Sequence, residues 1–192
     1  MAASSTMLSL GSKLPVFRLS DTDGGVVCSD DLTDAPAIVV LFICNHCPYV
    51  KHISAELALL AEEYVEQGVA IVAINSNDAE AYPDDAPDKM AEEKRSAGYA
   101  FPYLFDETQE VARAFRAACT PDIYLFDGSA ELVYRGQFDG SRPGNDIPVT
   151  GYDLRAALDA VLHGRPALED QIPSIGCNIK WKSGNEPDYY SV

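Results

Sequence analysis

The stretch AIVVLFICNHC, residues 37–47, joins a run of apolar residues to a pair of cysteines. Residues 37–44 are continuously apolar and rich in β-branched side chains, a pattern typical of a strand buried on both faces in a largely parallel sheet. Apolar residues then recur every three or four positions over 47–67 and Gly68 closes the run, which predicts an amphipathic helix. A second apolar run at 69–75 completes a right-handed strand–helix–strand crossover. The sequence therefore predicts a sheet that is at least partly parallel.

The remaining apolar patterns predict one α/β domain with a C-terminal extension. Apolar residues at helical spacing predict a helix over 152–162, and Pro87, which suits the first turn of a helix, predicts another over 87–97. The acidic segment 78–88 is predicted to be an exposed loop. Strand-like runs on either side of Asp127-Gly128-Ser129-Ala130 predict an antiparallel hairpin. We expect 1–192 to form a single domain with its core at about 10–164. The extension, 165–192, is expected to fold back on this core and to bury four apolar residues, Ile172, Ile175, Ile179 and Trp181.

The charge balance and the apolar runs limit the classes of partner. With 14 Lys and Arg against 30 Asp and Glu, the 192-residue chain has a formal net charge of −16, which argues against nucleic acid as a partner. The longest apolar run, 35–44, is too short to span a bilayer, and residues 1–10 lack the features of a secretory signal. We therefore expect a cytoplasmic protein with no membrane partner. Five cysteines in that compartment favour redox or metal chemistry over structural disulfides.

Cys44 and Cys47 form a CxxC motif where the predicted strand ends and the predicted helix begins. A helix N-terminus favours a thiolate and lowers a cysteine pKa from about 8.5 into the range ~3.5–7.5. We predict that Cys44 is the nucleophile and the more exposed and more acidic thiol, with Cys47 one turn further along to close a disulfide. His46 lies between them, and its charge should favour the thiolate and make the couple more oxidising.

Two other interpretations of the cysteine pair stay open. Cysteines at this spacing also form half of a zinc site, and both residues could be inert members of the core. The other cysteines, Cys28, Cys119 and Cys177, are scattered singly and offer no second pair. Redox chemistry without a metal or an organic cofactor is therefore the favoured interpretation.

A second candidate feature is the sequence Cys119-Thr120-Pro121, which stands just before a predicted strand. Only about 5–6% of X-Pro bonds in folded proteins are cis, so an ordinary trans helix breaker is the simple alternative. The CxxC motif changes that expectation, and we predict a cis bond at Thr120–Pro121. The backbone of Thr120 would then lie across from Cys44 and line a groove for an extended substrate.

The order strand, CxxC helix, strand, helix, Thr-Pro, hairpin and helix resembles the thioredoxin fold over roughly 37–162. Six stretches resemble its peroxiredoxin-like branch, the redoxin group related to alkyl hydroperoxide reductase and thiol-specific antioxidant proteins: NHCPYV at 45–50, AINSND at 73–78, FPYLFDETQ at 101–109, CTPDIYLFD at 119–127, YRGQFDGSRPGND at 134–146 and PSIGCNIKW at 173–181. The resemblance implies a central mixed sheet flanked by helices. It also implies that Cys44 and Cys47 are the redox pair and that Pro121 is the cis proline beside them.

One departure from the peroxiredoxin pattern bears on the activity. Peroxiredoxins proper present Pro-x-x-x-Thr-x-x-Cys, whereas here Cys44 takes the place of the Thr and Val40 the place of the Pro before Cys47. That Thr hydroxyl orients the peroxide in the parent family. A thiol at Cys44 would instead trap a sulfenic acid at Cys47 as a disulfide. The chain therefore fits disulfide exchange better than efficient peroxide reduction.

We predict a thiol-disulfide oxidoreductase with an antioxidant role, whose partners are protein or small-molecule disulfides and a recycling thiol reductant. Thr120 and Pro121 are the predicted substrate-binding residues. Three further residues are candidate modulators: His46, Cys119 and Cys177. In particular, Cys177 is expected to approach Cys44 or Cys119 as a third redox thiol if the extension crosses the site. The alternatives are a thiol-dependent peroxidase using Cys47 or Cys44, and a non-enzymatic redox-sensing binding module.

Overall fold

A computed structural model describes residues 2–168 and 170–190. Its strands are β1 Ala2–Ser4, β2 Arg18–Asp21, β3 Val26–Cys28, β4 Ala37–Phe42, β5 Ala70–Asn75, β6 Tyr103–Phe105, β7 Cys119–Thr120, β8 Asp122–Asp127, β9 Leu132–Gly136 and β10 Ile175–Asn178. Its α-helices are α1 Pro48–Val65, α2 Pro87–Ala97, α3 Glu110–Phe115 and α4 Tyr152–Leu162. Short 3₁₀ helices occupy Ser29–Leu32 and Pro83–Asp85.

Seven of the strands form a mixed sheet in the order β3-β2-β6-β5-β4-β8-β9. Strand β4 is parallel to β5, and β5 is parallel to β6, whereas the other neighbouring pairs are antiparallel. All six residues of β4 are at most 1% exposed, as its continuous apolar run predicts. The hairpin β8–β9 is antiparallel, as predicted.

Helices cover both faces of this sheet because neighbouring residues of β4 point to opposite sides. Val39 and Leu41 belong to the core layer that packs against α1, α2 and α4. Val40 and Phe42 belong to the other layer, which packs against α3 and the C-terminal extension. Each fully buried side chain of this size stabilises the fold by about 1.5–3 kcal/mol relative to exposure. The predicted mixed sheet flanked by helices is confirmed.

The C-terminal extension folds back on the sheet, as the sequence predicts. Its strand β10 lies between β1 and β7 in a three-stranded antiparallel sheet. Ile179 and Trp181 are buried. Ile172 and Ile175 are 56% and 38% exposed, so the expectation that they are buried is wrong. The burial of Ile179 and Trp181 and the pairing of β10 with β1 and β7 hold the extension in place.

The turn between β7 and β8 contains the cis peptide bond Thr120–Pro121, which confirms the predicted isomer. The turn follows β7, so it lies beside the C-terminal extension through the β7–β10 pairing. Among the described residues, no helix is both long and apolar enough to cross a membrane.

Candidate active site

The two cysteines of the CxxC motif lie in the connection between β4 and α1. Helix α1 begins at Pro48, and its N-cap residue is Cys47. Cys47, rather than Cys44, therefore lies at the helix N-terminus, where unpaired N–H groups and the helix dipole favour a negative charge. Pro48 suits the first helical position because it has no N–H to leave unpaired there.

Thr120 contacts both sulfurs of the motif. Cys44 Sγ lies 3.3 Å from Thr120 Oγ1, and Cys47 Sγ lies 3.0 Å from Thr120 O, to which the thiol donates a hydrogen bond when it is protonated. Pro121 follows through the cis bond. The structure thus brings the two cysteines and the Thr120–Pro121 pair together, although more than 70 residues separate the two pairs in the sequence.

Cys47 is the acidic thiol of the pair. The hydrogen bond from Cys44 lowers the pKa of Cys47 to about 4 against the effect of burial, with further hydrogen bonds from the Cys177 thiol and N–H and from the Val50 N–H. The same bond to Cys47 raises the pKa of Cys44 far above its usual range, and burial and the nearby carboxylate of Asp85 act in the same direction.

The prediction that Cys44 is the more acidic thiol is wrong, and neither thiol is open to solvent. Both cysteines are buried, with exposed fractions of 2% for Cys44 and 0% for Cys47. The helix starts later than the cysteine pair suggests, and more hydrogen-bond donors converge on Cys47. The predicted order of acidity is therefore reversed by the position of the helix N-terminus and by the donors on Cys47.

His46 turns toward a buried carboxylate. Its Nδ1 lies 2.7 Å from Asp85 Oδ2, and its ring stacks on Tyr82 with the ring centroids 5.6 Å apart. Asp85 is wholly buried. Its carboxylate also accepts three hydrogen bonds, from the N–H of Asn45 and the side-chain amides of Asn75 and Asn77. His46 is thus tied to Asp85, which opposes ionisation of Cys44.

Asp85 is a site residue that the sequence analysis missed. It lies in the acidic segment 78–88, which was predicted to be an exposed loop, and the prediction is wrong at this position. The available signal was the AINSND stretch, because polar residues directly after a buried strand need partners. Asn75 and Asn77 belong to that stretch and bind Asp85.

Cys44, His46 and Asp85 also form the group of described residues that comes nearest to a metal site. One ligand-type atom from each lies within 4.8 Å of the others. Structural zinc sites use four ligands, and both oxygens of Asp85 already accept hydrogen bonds. The arrangement is that of a hydrogen-bonded polar cluster.

Strand β10 brings Cys177 to the pair. Cys177 is directly opposite Thr120 in the antiparallel register of β10 and β7. Its thiol hydrogen-bonds Cys47, whereas the sequence pointed to Cys44 or Cys119. Burial, followed by this bond to Cys47, raises the pKa of Cys177 to about 11. The acidity of Cys47 therefore depends on two other thiols, Cys44 and Cys177.

The thiol of Cys119 faces backbone carbonyl groups and is not hydrogen-bonded to Cys44, Cys47 or Cys177. Cys119 is completely buried, and its thiol points to the carbonyl oxygens of Pro121 and Ser174 at 3.5 and 3.8 Å. Burial and the nearby Asp122 raise the pKa of Cys119 well above its usual range. This environment favours a protonated packing residue beside the cis proline. Cys28 lies on edge strand β3, four positions from β4 in the sheet.

Comparisons with known proteins agree with this fold and with an oxidoreductase family. A model described as the AhpC/TSA family matches residues 10–136. A putative peroxiredoxin of Mycobacterium tuberculosis is 26% identical over 151 residues, 79% of this chain and 89% of that protein. The thiol-disulfide oxidoreductase ResA of Halalkalibacterium halodurans is 26% identical over 123 residues, 64% of this chain and 65% of that protein.

Solved structures give the same fold. An uncharacterized conserved protein from Geobacillus kaustophilus is 57% identical, with a TM-score of 0.93 over 95% of this chain and 97% of that chain. Thioredoxin-like oxidoreductase structures at 17% and 20% identity share the fold, with TM-scores of 0.57 and 0.64. The predicted thioredoxin-like fold is confirmed.

Proposed function

The chain belongs to the AhpC/TSA family, and from that premise we propose a thiol-disulfide oxidoreductase in which Cys47 is the attacking thiolate and Cys44 the resolving thiol. The observation that carries this proposal is the position of Cys47 at the N-cap of α1, with the thiol of Cys44 hydrogen-bonded to its sulfur. A thiolate is the form of cysteine that attacks disulfides. The name of the relative ResA supports the same chemistry.

The proposed reaction has two exchanges. The Cys47 thiolate attacks one sulfur of a substrate disulfide, forms a mixed disulfide and releases the other substrate half as a thiolate. Cys44 then loses its proton and attacks Cys47 Sγ, which forms the Cys44–Cys47 disulfide and releases the second substrate half. Thr120 assists this second step because its hydroxyl, 3.3 Å from Cys44 Sγ, favours the Cys44 thiolate. A thiol reductant would return the pair to the dithiol.

The acidity of Cys47 also affects the reduction potential of the Cys44–Cys47 couple. Stabilising the thiolate stabilises the reduced protein, which makes the disulfide a stronger oxidant. We therefore expect a reduction potential above the thioredoxin value of about −270 mV. The sequence analysis expected an oxidising couple because of His46. We now attribute it to the donors on Cys47, since His46 is directed to Asp85.

Turnover of a small disulfide by cysteine variants tests these roles. Cys47→Ser should abolish turnover, whereas the double variant Cys44→Ser/Cys177→Ser, which lacks both thiols that interact with Cys47, should accumulate a mixed disulfide at Cys47 that carries half of the substrate. Cys28→Ser is the matched control because Cys28 lies on edge strand β3, away from the pair, and it should retain wild-type turnover. Full activity of Cys47→Ser would contradict the proposal.

A thiol-dependent peroxidase is the second candidate. It is favoured by the family match and by the acidic thiol at Cys47, which takes the place of the cysteine in the Pro-x-x-x-Thr-x-x-Cys pattern. In that case the Cys47 thiolate would attack a peroxide and the thiol of Cys44 would condense with the resulting sulfenic acid. Reaction rates with hydrogen peroxide and an alkyl hydroperoxide, compared with the rate for a small disulfide, distinguish the two functions.

The proposed partners are protein or small-molecule disulfides and a recycling thiol reductant. We propose a cytoplasmic location on the basis of composition and cysteine content. Co-purification of mixed disulfides with Cys44→Ser/Cys177→Ser from cells would test the partners, because that variant lacks both thiols that interact with Cys47.

A further inference from the structure

The two thiols of the redox pair are closed off from solvent, whereas Cys177 is not. Cys44 is 2% exposed and Cys47 is 0% exposed. Cys177 is partly exposed and lines an open cleft of about 490 Å³ with His46, Tyr82 and Lys180. A dissolved thiol or disulfide in the cleft therefore meets Cys177 before either member of the pair.

The groove beside the cis proline is also occupied. Strand β10 pairs with Thr120, so the chain's own extension takes the place that was predicted for an extended substrate. Gly176 lies directly over the Thr120–Pro121 peptide, with no room for a side chain. On its other edge β10 is held by β1. A peptide cannot pair with Thr120 while β10 is in place.

Resting on the proposed thiol chemistry, we propose that Cys177 is the access thiol through which small thiols and disulfides exchange with the buried Cys44–Cys47 pair. Residues directly opposite each other in an antiparallel pair project to the same face. Cys177 and Thr120 are such a pair, and Thr120 contacts both sulfurs of the CxxC motif. Cys177 also interacts with Cys47 closely enough for each thiol to change the pKa of the other, which completes the path.

The reduction of the oxidised protein by a small thiol then takes three exchanges. The Cys177 thiolate attacks Cys47 Sγ and forms the Cys47–Cys177 disulfide, while Cys44 leaves and takes up a proton. An external thiolate attacks Cys177 Sγ, and Cys47 leaves as a thiolate. A second external thiolate attacks the external sulfur of the mixed disulfide, so that a small disulfide leaves and Cys177 regains its proton. In total, two external thiols lose two electrons and the Cys44–Cys47 disulfide gains them.

The cleft favours a small substrate over an extended peptide. Its volume lies within the range of small-molecule sites, about 300–1,000 Å³. One wall carries the Tyr82 ring, with His46 stacked on it and Lys180 Nζ 5.8 Å from its centroid. Together with Asp84, which also lines the cleft, these groups offer an aromatic surface, a cation and a carboxylate next to Cys177. A peptide-sized thiol such as glutathione is a suitable probe.

Cysteine mapping in the Cys44→Ser variant tests the Cys47–Cys177 step. After oxidation with glutathione disulfide and alkylation, peptide analysis should recover a cross-link between Cys47 and Cys177. The same treatment of the double variant Cys44→Ser/Cys177→Ser should yield no cross-link. Failure of the single variant to form the bond would overturn the proposal. This result does not require a functional Cys44, so it is informative even if the proposed oxidoreductase activity fails.

The rate at which glutathione reduces the oxidised pair tests the access role. Cys177→Ser, oxidised beforehand with diamide, should be reduced about tenfold or more slowly than the wild-type protein, because the thiol must then reach a buried disulfide. Cys28→Ser should keep the wild-type rate, and an extended cysteine peptide should react more slowly than glutathione with the wild-type protein. Equal rates for Cys177→Ser and wild type, or a faster reaction of the peptide, would overturn the proposal.

Discussion

Replacing Gly176 with alanine tests how closely β10 must approach the cis-proline turn. A Cβ atom at position 176 would collide with Thr120 O, and it would lie 2.5 Å from Thr120 C and 3.0 Å from Pro121 N. Ordinary van der Waals contact begins at about 3.4 Å. Relief of the carbon contact alone therefore requires β10 to retreat by at least 0.9 Å, the difference between 3.4 and 2.5 Å.

Such a retreat breaks the pairing between β10 and β7. The ladder consists of two residue pairs and is extended by the bond from Ile179 N to Ala118 O at 3.2 Å. A backbone hydrogen bond of about 2.9 Å that lengthens by 0.9 Å leaves the bonding range. The loss of two or three such bonds lowers the free energy of unfolding by about 1–4 kcal/mol. The substitution also raises it by about 0.4–1 kcal/mol, because alanine gives the unfolded chain less conformational entropy than glycine does. We expect the free energy of unfolding to fall by about 1–3 kcal/mol.

Urea unfolding followed by tryptophan fluorescence measures this change. The chain has one tryptophan, Trp181, which follows β10 and is buried against the sheet. Gly140→Ala is the matched control, because the nearest atom to its Cβ would be Ile147 Cδ1 at 3.8 Å, and it should change the unfolding free energy by less than about 0.5 kcal/mol. The reasoning fails if Gly176→Ala unfolds like Gly140→Ala and still forms the Cys47–Cys177 bond in the Cys44→Ser background.

Three further results are expected. The ultraviolet absorbance of the Cys47 thiolate in the reduced protein should titrate near pH 4. This absorbance should be lost in Cys47→Ser and kept in Cys28→Ser. A wild-type protein without thiolate absorbance at neutral pH would contradict the assignment. Burial raises the pKa of Asp122 from 3.8 to about 6, so its contribution to stability is present below pH 3.8 and lost as the pH rises through about 6. The unfolding free energy of the wild-type protein should therefore fall relative to Asp122→Asn over this interval, and a constant difference would refute the effect. Thr120→Val removes the hydroxyl 3.3 Å from Cys44 Sγ and should prolong the mixed disulfide at Cys47, as measured by quenched mass analysis; an unchanged lifetime would exclude assistance by this hydroxyl.

The elements with strong apolar periodicity could be predicted closely from the sequence. The predicted bounds of α4, 152–162, agree with the structure, and so do those of α2, 87–97, although only Met90 of α2 is buried and its prediction rested on Pro87 at the first helical position. Amphipathic spacing reports burial directly, and burial decides where a helix of this kind is stable. The first helix differs by one residue at its start, Pro48 instead of Cys47, and by two at its end. That single residue at the start places Cys47 at the cap position.

The roles of the cysteines could not be predicted in the same way, because they depend on groups that are distant in sequence. The donors to Cys47 include Cys177, and its acceptor Thr120 O comes from 73 residues away. Asp85 illustrates the same limit. Its neighbours in the chain are acidic and mostly exposed, and only the fold shows that Asn75 and Asn77 surround this one carboxylate and bury it.

The position of β10 links the acidity of Cys47 to the closure of the site. Two of the hydrogen bonds that lower the pKa of Cys47 come from the thiol and the N–H of Cys177, and both depend on β10 lying against Thr120. Displacing β10 would open the cis-proline groove to an extended peptide, but it would remove those donors from the sulfur and raise the pKa of Cys47. A small thiol that reacts at Cys177 leaves the strand in place and therefore exchanges with the more acidic form of Cys47. The same strand thus selects for small substrates in two ways, by occupying the groove and by holding the N–H of Cys177 against Cys47, which makes Cys47 a better leaving group in the Cys47–Cys177 disulfide.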